Sequence, residues 1–472
     1  MKKKVDVLIV GGGVAGLAAM HRLVSQHPSV SGLLVERDDR LGGKITTEVV
    51  DGCVIEGGPD CFLSSKAGGV ALCRELGIAN DLVGTNPEFR RTYVKRDGVL
   101  HELPAGITGL IPARLWPLVR TSVLGWRGKL RASLEPLVPR KRDDEEESIA
   151  GFVTRRFGKE TYRWLVEPLM SGIYAGDGET LSLRATFPSL IETERTDGSL
   201  LRVMMRGGGT QRDPAGRGAS NDVKPGFITL RRGLTELIRA MQDCIPKDSL
   251  LLDNRVTHLS RSASEFEAVL ADGTIVVCSA IVLAVPAFAA ADLVASFDSV
   301  LSDRLRSIPF VSTSTVSVSL PVQAVHRFGG YGYVSPRAAG GSVVACTWSS
   351  NKFPERTDGN SVLIRYFVGR AGSEEIVSAS DEEIQRLVRS ELAEAFGIRS
   401  EPNIWRIRRW HRGMPQYTLG HLDRLRDIES RIALHRGLGL AGASYHGVGI
   451  PDCITSGRKA ADRVLASGLT DP

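Results

Sequence analysis

The sequence lacks a paired cysteine pattern. Its seven cysteines are an odd number, and no two of them form a C-x-x-C pair. This argues against a disulfide framework or a zinc ribbon as the basis of the fold. A chain of 472 residues can bury large apolar cores without cross-links. We therefore expect a globular protein with free thiols, as in a reducing cytoplasm.

Long hydrophobic runs are also missing. No segment reaches the roughly 18 uncharged apolar residues of a transmembrane helix. The nearest candidate, residues 106–126, is interrupted by Arg114, Arg120 and two prolines. Its apolar residues, spaced arginines and tryptophans fit either a membrane interface or the apolar wall of a substrate domain. We expect a cytoplasmic protein, with peripheral contact to the cytoplasmic membrane left open.

Dense charge and familiar hydrolytic motifs are absent as well. The 60 basic and 54 acidic residues give a net charge of +6 that is spread along the chain. This favours acidic small molecules or an anionic surface over nucleic acid as partners. No Ser-His-Asp order, metal-ligand spacing or catalytic carboxylate pair is evident among the residues, so we assign no metal site and no catalytic acid or base.

A glycine-rich turn near the start is the strongest positive signal. Gly11, Gly13 and Gly16 form a G-x-G-x-x-G motif between the strand-like run "VDVLIV" and the helix-like run "VAGLAAMHRLVSQH". Glu36 ends the next strand-like run, 20 positions beyond Gly16. Such glycines let a pyrophosphate approach the start of a helix, and the acid accepts hydrogen bonds from a ribose. The pattern predicts a right-handed βαβ unit that binds a dinucleotide.

Two further regions have strand patterns. The runs "RVTHLSRS", "FEAVLADGT" and "AIVLAVP" indicate an antiparallel meander that returns to a parallel strand. Alternating runs between about residues 311 and 370 indicate a separate sheet, and residues 106–205 have more helix signals.

Several motifs together resemble a known family. They are "DRLGGKITTEVVDG", "EGGPDCFLSSK", "RRGLTELIRAM", "RRWHRGMPQYTLGH" and "HGVGIPDCITSGRKAA". With the first glycine motif they resemble the protoporphyrinogen/coproporphyrinogen oxidases of haem biosynthesis, in the amine oxidase superfamily, over nearly the whole chain. The resemblance implies an α/β fold: a Rossmann-type FAD-binding domain with an antiparallel-sheet substrate domain and a helical insert. The implied boundaries are residues 1–85, 226–292 and 436–472 for FAD, 86–105 and 293–435 for substrate, 106–205 for the helical domain, and 206–225 for a flexible loop.

The resemblance also implies the cofactor and its contacts. FAD would bind without a covalent bond, since the segment "LGLAGASYHG" contains no cysteine. A helix beginning near Pro451 would direct its free N–H groups at the flavin. The implied FAD contacts are Gly11, Gly12, Gly13, Val14, Ala15, Gly16, Glu36, Arg37, Arg40, Gly43, Lys44, Gly58, Pro59, Asp60, Cys61, Val256, Trp410, Val448, Gly449 and Ile450.

The implied substrate contacts are less specific. Either Arg90 or Arg91 would pair with a propionate, although each also fits a surface arginine. Apolar walls for the macrocycle would come from Val334, Val344 and Phe367, for which a place in the strand core is an equal alternative. His446, next to the last flavin motif, fits a structural histidine better than a reactive one.

The implied reaction is oxidation of a porphyrinogen to the porphyrin. Hydride would pass to flavin N5, and molecular oxygen would reoxidise the flavin to give hydrogen peroxide; removing six electrons takes three flavin turnovers. Protoporphyrinogen IX and coproporphyrinogen III both remain candidate substrates, and a homodimer stays open. The alternatives are a flavin amine oxidase of the same superfamily and a flavin- or porphyrin-binding protein without activity.

Overall fold

The computed structural model describes residues 2–104, 107–108, 111–112, 120–205, 226–262, 265–325 and 328–468. The flexible loop predicted at residues 206–225 lies outside the described residues. So do residues 113–119 of the candidate membrane segment.

The first sheet is built around the strand Lys2–Val10. This strand pairs in parallel with Gly32–Val35 on one side and with Ile275–Leu283 on the other. Leu8 and Ile9 are fully buried, as expected for a parallel strand covered on both faces. The predicted βαβ unit and the predicted meander are both confirmed. The strands of this sheet are, in order, Leu250–Leu251, Gly32–Val35, Lys2–Val10, Ile275–Leu283, Phe266–Leu270 and Val256–Arg261, with Leu438–Leu440 parallel to the end of Ile275–Leu283.

Helices cover both faces of this sheet. The helices Val14–Gln26 and Ile450–Gly468 pack so closely that a Cβ on Gly457 would collide with the Ala15 carbonyl oxygen. The helix predicted to begin near Pro451 is therefore present and is packed against the glycine-motif helix. The other helices of these two layers are Ala67–Glu75, Thr235–Asp243, Ala287–Val294, Ser299–Arg306 and His421–Ile432.

A second sheet contains the strands predicted between residues 311 and 370. Its pairs are antiparallel except for Gly332–Val334 with Thr92–Arg96. Helix Asp381–Phe396 packs on it and begins with a capping box between Ser380 and Glu383. The strand order is Ile404–Pro415, Phe310–Pro321, Ser361–Val368, Val343–Trp348, Gly332–Val334, Thr92–Arg96 and Val99–Glu102.

The region predicted to be helical is mostly helical. One difference is that Ile107–Thr108 and Ile111–Pro112 pair as short antiparallel strands. Buried charges hold the helices together, because Arg156 contacts both Glu135 and Glu194. The helices are Trp126–Ser133, Ile149–Phe157, Lys159–Thr161, the π-helix Tyr162–Val166, Glu167–Tyr174, Leu183–Thr186, Pro188–Asp197 and Leu200–Met205.

Short elements join these layers. They are the hairpin of Thr47–Val50 and Cys53–Glu56, the three strands Phe62–Leu63, Phe227–Leu230 and Leu82–Gly84, and the helix Ser349–Lys352. All seven cysteines are free. Within the described ranges, no helix has the length and apolarity to cross a membrane. No group of three or more His, Cys, Asp or Glu side chains among the same residues could hold a metal ion.

Candidate functional site

The glycines of the first motif have different physical roles. Gly11 has φ +104°, and a Cβ there would lie 2.7 Å from the Ala284 oxygen. A Cβ on Gly16 would collide with the Gly11 carbonyl oxygen, so Gly11 and Gly16 are required by packing within the protein. A Cβ on Gly13 would meet nothing within 4 Å. Gly13 is also the N-cap of helix Val14–Gln26 and supplies no side-chain cap. The start of this helix therefore presents free N–H groups to open space, which suits an anion.

Glu36 lies directly beside this turn. It is buried, and its Oε2 accepts a hydrogen bond from Gly12 N at 2.5 Å. Its Oε1 accepts from Asp38 N at 3.0 Å, and its carbonyl oxygen accepts from Asn254 N at 3.0 Å. Asn254 precedes the buried Val256 by two positions, so the structure brings Val256 close to the Glu36 end of the turn. Arg37 is exposed and forms an ion pair with Asp38.

The second glycine turn packs against the first. Gly42 N donates to Gly12 O at 2.8 Å, and a Cβ on Gly43 would lie 3.2 Å from Gly13 Cα. Arg40 supports this turn, because its guanidinium donates to the carbonyl oxygens of Leu41, Gly43 and Ile45. Arg40 is predicted to contact the phosphates, and several of its N–H groups already donate to the backbone of this turn.

Lys44 directly follows the second glycine turn. Its ammonium is surrounded by protein atoms, and burial lowers its pKa. The side chain nevertheless keeps a large accessible area. We infer that the side chain faces an internal cleft, where protein atoms surround the ammonium while the centre stays open. Cys453, on the C-terminal helix Ile450–Gly468, is close enough to act on Lys44 electrostatically.

Residues 57–61 form the next wall of this cleft. A Cβ on Gly58 would collide with the Lys44 carbonyl oxygen. The Gly57 carbonyl oxygen accepts from Trp410 Nε1 at 2.9 Å and from Thr315 Oγ1 at 2.8 Å, while Arg365 donates to the Gly58 carbonyl oxygen. Both carbonyls are therefore held by the second sheet. Within the part of the chain that the structure describes, the Gly58 N–H has no acceptor, so it can donate to a ligand.

Asp60 and Cys61 belong to a partly buried polar group with Lys352. Lys352 Nζ lies 2.9 Å from Asp60 Oδ2 and 3.3 Å from Cys61 Sγ. Burial alone would raise the pKa of Asp60, but the charges of Lys352 and Arg365 hold it well below its usual range. Burial and the Asp60 charge raise the pKa of the Cys61 thiol to about 12. Cys61 is thus a neutral, unreactive thiol near neutral pH.

The last segment of the site is held by Tyr417. Its hydroxyl donates to the Ala443 carbonyl oxygen at 2.6 Å and accepts from Gly447 N at 2.8 Å. The ring stacks on His421, with centroids 4.1 Å apart. This fixes residues 443–447 immediately before Val448, Gly449 and Ile450. His446, in contrast, is exposed and lies 3.2 Å from Glu429, as expected for a structural histidine.

The start of the C-terminal helix carries charge of its own. Asp452 Oδ2 accepts from Gly449 N at 3.2 Å and lies 2.5 Å from Lys66 Nζ. The helix terminus predicted to face the flavin therefore has one N–H already satisfied by a carboxylate, which is itself paired with a lysine.

The predicted substrate residues separate into two groups. Val334 and Phe367 join Val448, Tyr174 and other side chains of the helical region in one apolar cluster. Val344 is 1% exposed and lies outside that cluster.

Arg90 and Arg91 are exposed, and Arg91 forms a long 3.9 Å ion pair with Glu102. The structure thus brings two of the apolar residues to the Val448 end of the site, and it leaves both arginines on the surface.

Sequence reasoning missed four polar side chains that shape this site. Arg365 and Thr315 hold the carbonyls of residues 57–58, Lys352 pairs with Asp60, and Tyr417 holds the last segment. Arg365 had a signal, because it is the single charge in the apolar strand "SVLIRYFV". A charge inside a buried strand needs a specific partner.

The described residues fit a flavin dinucleotide. The open space at Gly13, the uncapped helix and the cleft-facing Lys44 suit a pyrophosphate. Gly57 and Gly58 have no side chains to obstruct a flat ring, and the unused Gly58 N–H can donate to a polar atom of that ring. The adjoining apolar cluster of Val334, Phe367 and Val448 suits an apolar substrate.

Comparisons with known proteins identify relatives over almost the whole chain. Residues 14–465 match the family model "Flavin containing amine oxidoreductase". The chain is 34% identical to coproporphyrinogen III oxidase of Bacillus subtilis (strain 168), covering 98% of both chains. It is 31% identical to protoporphyrinogen oxidase of Bos taurus, again over 98% of both. A crystal structure from Exiguobacterium sp. 255-15, assigned provisionally as a protoporphyrinogen oxidase, matches with a TM-score of 0.87 and 29% identity, covering 98% of this chain and 99% of that one.

Proposed function

The chain belongs to the flavin containing amine oxidoreductases, and from this premise we propose that it oxidises a porphyrinogen to the porphyrin in haem biosynthesis, using molecular oxygen. The observation that carries the proposal is the apolar cluster of Val334, Phe367 and Val448 at the end of the flavin segment. It offers a flat macrocycle an apolar surface beside the ring. The names of the relatives support the same substrate class.

The flavin is proposed to be FAD, bound without a covalent bond. Residues 11–16 would hold the pyrophosphate at the start of helix Val14–Gln26, and Glu36 would accept from the ribose. Arg40 and Lys44 would contact the phosphate and ribitol region. Residues 58–61, Trp410 and residues 448–450 would enclose the ring. Cys453, in the first turn of the helix Ile450–Gly468, has its pKa raised to about 12 by burial, so it is not a nucleophile for a covalent link.

The protein contributes binding and orientation to the reaction. Bound FAD would supply the redox chemistry, with N5 as the hydride acceptor and molecular oxygen as the final oxidant that leaves as hydrogen peroxide. Val334 and Phe367 would position the macrocycle, and the enclosed site would keep water away from the reacting carbon. Arg90 or Arg91 would reach a propionate from the exposed rim. No side chain is assigned as a catalytic acid or base.

The test compares two substrates directly. The purified chain, supplied with FAD, is mixed with coproporphyrinogen III or with protoporphyrinogen IX, and porphyrin fluorescence, oxygen uptake and peroxide are measured. Porphyrin and peroxide forming together with one of the substrates would support the proposal, and the faster substrate would identify the specificity. Oxidation of amines without action on either porphyrinogen would make the chain an amine oxidase. Bound porphyrin with no oxygen uptake would make it a binding protein.

We also propose peripheral contact with an anionic membrane surface in the cytoplasm. Trp126, Leu130 and Leu134 are spaced four residues apart on helix Trp126–Ser133 and its end, and they are 70%, 56% and 43% exposed. With the exposed Leu137 and the nearby exposed Arg127, they form a stripe typical of interfacial helices. Cosedimentation with phosphatidylglycerol vesicles should decrease in a Trp126→Ser, Leu130→Ser variant. It should not decrease in Leu434→Ser, which removes an equally exposed leucine elsewhere.

The domain boundaries and a homodimer are retained as predictions. Limited proteolysis should cut first at the boundary near residues 206–225, and light scattering on the purified chain distinguishes a dimer from a monomer.

A further inference from the structure

A group of charges adjoins the proposed flavin segment, three of them buried and two partly buried. We call it the Arg365 cluster, and it consists of Glu56, Asp60, Lys352, Arg356 and Arg365. Arg356 Nη2 lies 3.0 Å from Glu56 Oε1, and Lys352 Nζ lies 2.9 Å from Asp60 Oδ2. These contacts pair two of the three cations with the two carboxylates. Arg365 remains as the excess cation, so the cluster has a net charge of +1.

Arg365 has unusually few hydrogen bonds for a buried arginine. The residue is 2% exposed, its Nη2 donates to the Gly58 carbonyl oxygen, and its Nε and Nη1 have no partner in the described part of the chain. Arg356 Nη1 is likewise unpartnered among those residues. Leaving charged donors unsatisfied in the interior is costly. Costly arrangements of this kind are found at functional sites, where the charge contributes to binding or catalysis and not to stability.

Arg365 and Arg356, which carry the unpartnered groups, line a small cavity. Glu56, Asp60, Ser317, Arg356 and Arg365 are among the residues around it. Its volume of about 10 Å³ is close to the lower limit for one water molecule. The charge of Arg365 is therefore weakly screened. Its Nη2 contact leads directly to Gly58, where the proposed flavin ring would lie, and its guanidinium lies 4.8 Å from the centre of the Phe367 ring.

We propose that Arg365 is a positioning residue that makes reduction of the bound flavin more favourable. A flavin gains negative charge on reduction, and a weakly screened cation behind residues 58–60 stabilises that charge. The negative charge of Asp60 makes reduction less favourable, and Lys352 weakens this effect because it pairs with Asp60. The inference rests on the flavin binding in the proposed function and adds the residue that adjusts the flavin potential.

The test measures the flavin potential of FAD-loaded variants against a reference dye during slow reduction. Arg365→Gln should shift the flavin–dye equilibrium about tenfold toward oxidised flavin, the size expected for one weakly screened unit charge. Asp60→Asn should shift it about tenfold in the opposite direction. Arg365→Lys, which keeps the charge, should stay near the unmodified protein. Arg389→Gln, which removes an exposed arginine on the far helix Asp381–Phe396, should not shift it.

Opposite shifts for Arg365→Gln and Asp60→Asn would support the proposal, because structural damage has no reason to change sign with charge. Shifts in the same direction, or no shift in either variant, would overturn it. If Arg365→Gln does not fold, Asp60→Asn decides by itself: a shift toward reduced flavin supports the proposal, and any other result overturns it. The measurement uses no porphyrinogen, so a protein that shows these shifts but oxidises no porphyrinogen would keep this inference and lose the proposed function.

Discussion

At one end of the proposed flavin site, the contacts come from glycine backbone groups and nearby side chains, all within residues 11–44. At the other end, near residues 57–61, they come from side chains that are far apart in the chain. Asp60 and Lys352 are separated by 292 positions, and Trp410 and Gly57 by 353. We refer to these as the nucleotide end and the ring end. The nucleotide end depends on close backbone approach, and the ring end on charge and hydrogen bonding between layers of the fold.

The two ends should therefore fail in different ways. At the nucleotide end, an added methyl group has no space at Gly11 or Gly16, because the glycine turn and the helices are already in contact there, whereas Gly13 faces open space. At the ring end, changed side chains leave the backbone path intact but alter charge and orientation. The residues of the nucleotide end would therefore hold the cofactor, and those of the ring end would adjust its chemistry.

The largest effect is expected from Gly16→Ala. Its new Cβ would collide with the Gly11 carbonyl oxygen, so the turn and the helix must move apart. We expect a loss of about 4 kcal/mol or more in the free energy of unfolding. Urea unfolding of the flavin-free protein, followed by circular dichroism, measures it. A variant as stable as the unmodified protein would contradict the packing role of this glycine.

The next effect concerns His421, beside the last segment of the site, and depends on pH. Burial lowers the pKa of His421 from 6.5 to about 4, and its ring stacks on Tyr417. Between these values the unfolded chain binds a proton that the folded chain does not, so stability is complete above pH 6.5 and decreases as the pH falls toward 4. The expected loss is about 3 kcal/mol.

The measurement is urea unfolding at several pH values between 7 and 4. The His421→Gln variant keeps a side chain that can donate to the Tyr445 carbonyl oxygen but has no titrating group. Its stability should lose most of this pH dependence. If the slope is unchanged in the variant, another group is responsible.

A smaller effect separates the two glycines of the nucleotide end. Gly13→Ser places a side chain in open space, where serine can cap the helix. The flavin-free protein should be as stable as before, or more stable by up to about 0.5 kcal/mol. FAD should bind about tenfold or more weakly, since the side chain occupies the approach of the pyrophosphate. Fluorescence titration with FAD measures this, and unchanged affinity would contradict the assignment.

The difference between the ends also explains what could be predicted from the sequence. The turn at Gly11, its helix and Glu36 follow from a local pattern, because the contacts span few residues and depend on glycine and strand propensities. The contacts of Arg365, Lys352 and Tyr417 depend on how two sheets and the helical region pack, which no local spacing encodes.

The predicted apolar substrate residues show the same limit of local sequence patterns. Val334 and Phe367 reach the site because each pairs with Ala345, one from either side of the strand Val343–Trp348. Val344, one position earlier and close to a register shift, does not join them. Predicting that difference needs the strand register, since alternate residues of a strand face opposite sides.

The smallest effect is expected for Trp410→Phe. The variant keeps an aromatic ring but loses the hydrogen bond from Nε1 to the Gly57 carbonyl oxygen, which still accepts from Thr315 Oγ1 at 2.8 Å. One lost hydrogen bond of this kind corresponds to about 1 kcal/mol, so FAD should bind about fivefold more weakly. Trp405→Phe is the matched control on the same strand, because its Nε1 donates to Glu401 at the surface. If both variants weaken FAD binding equally, the effect comes from the strand and not from the contact with Gly57.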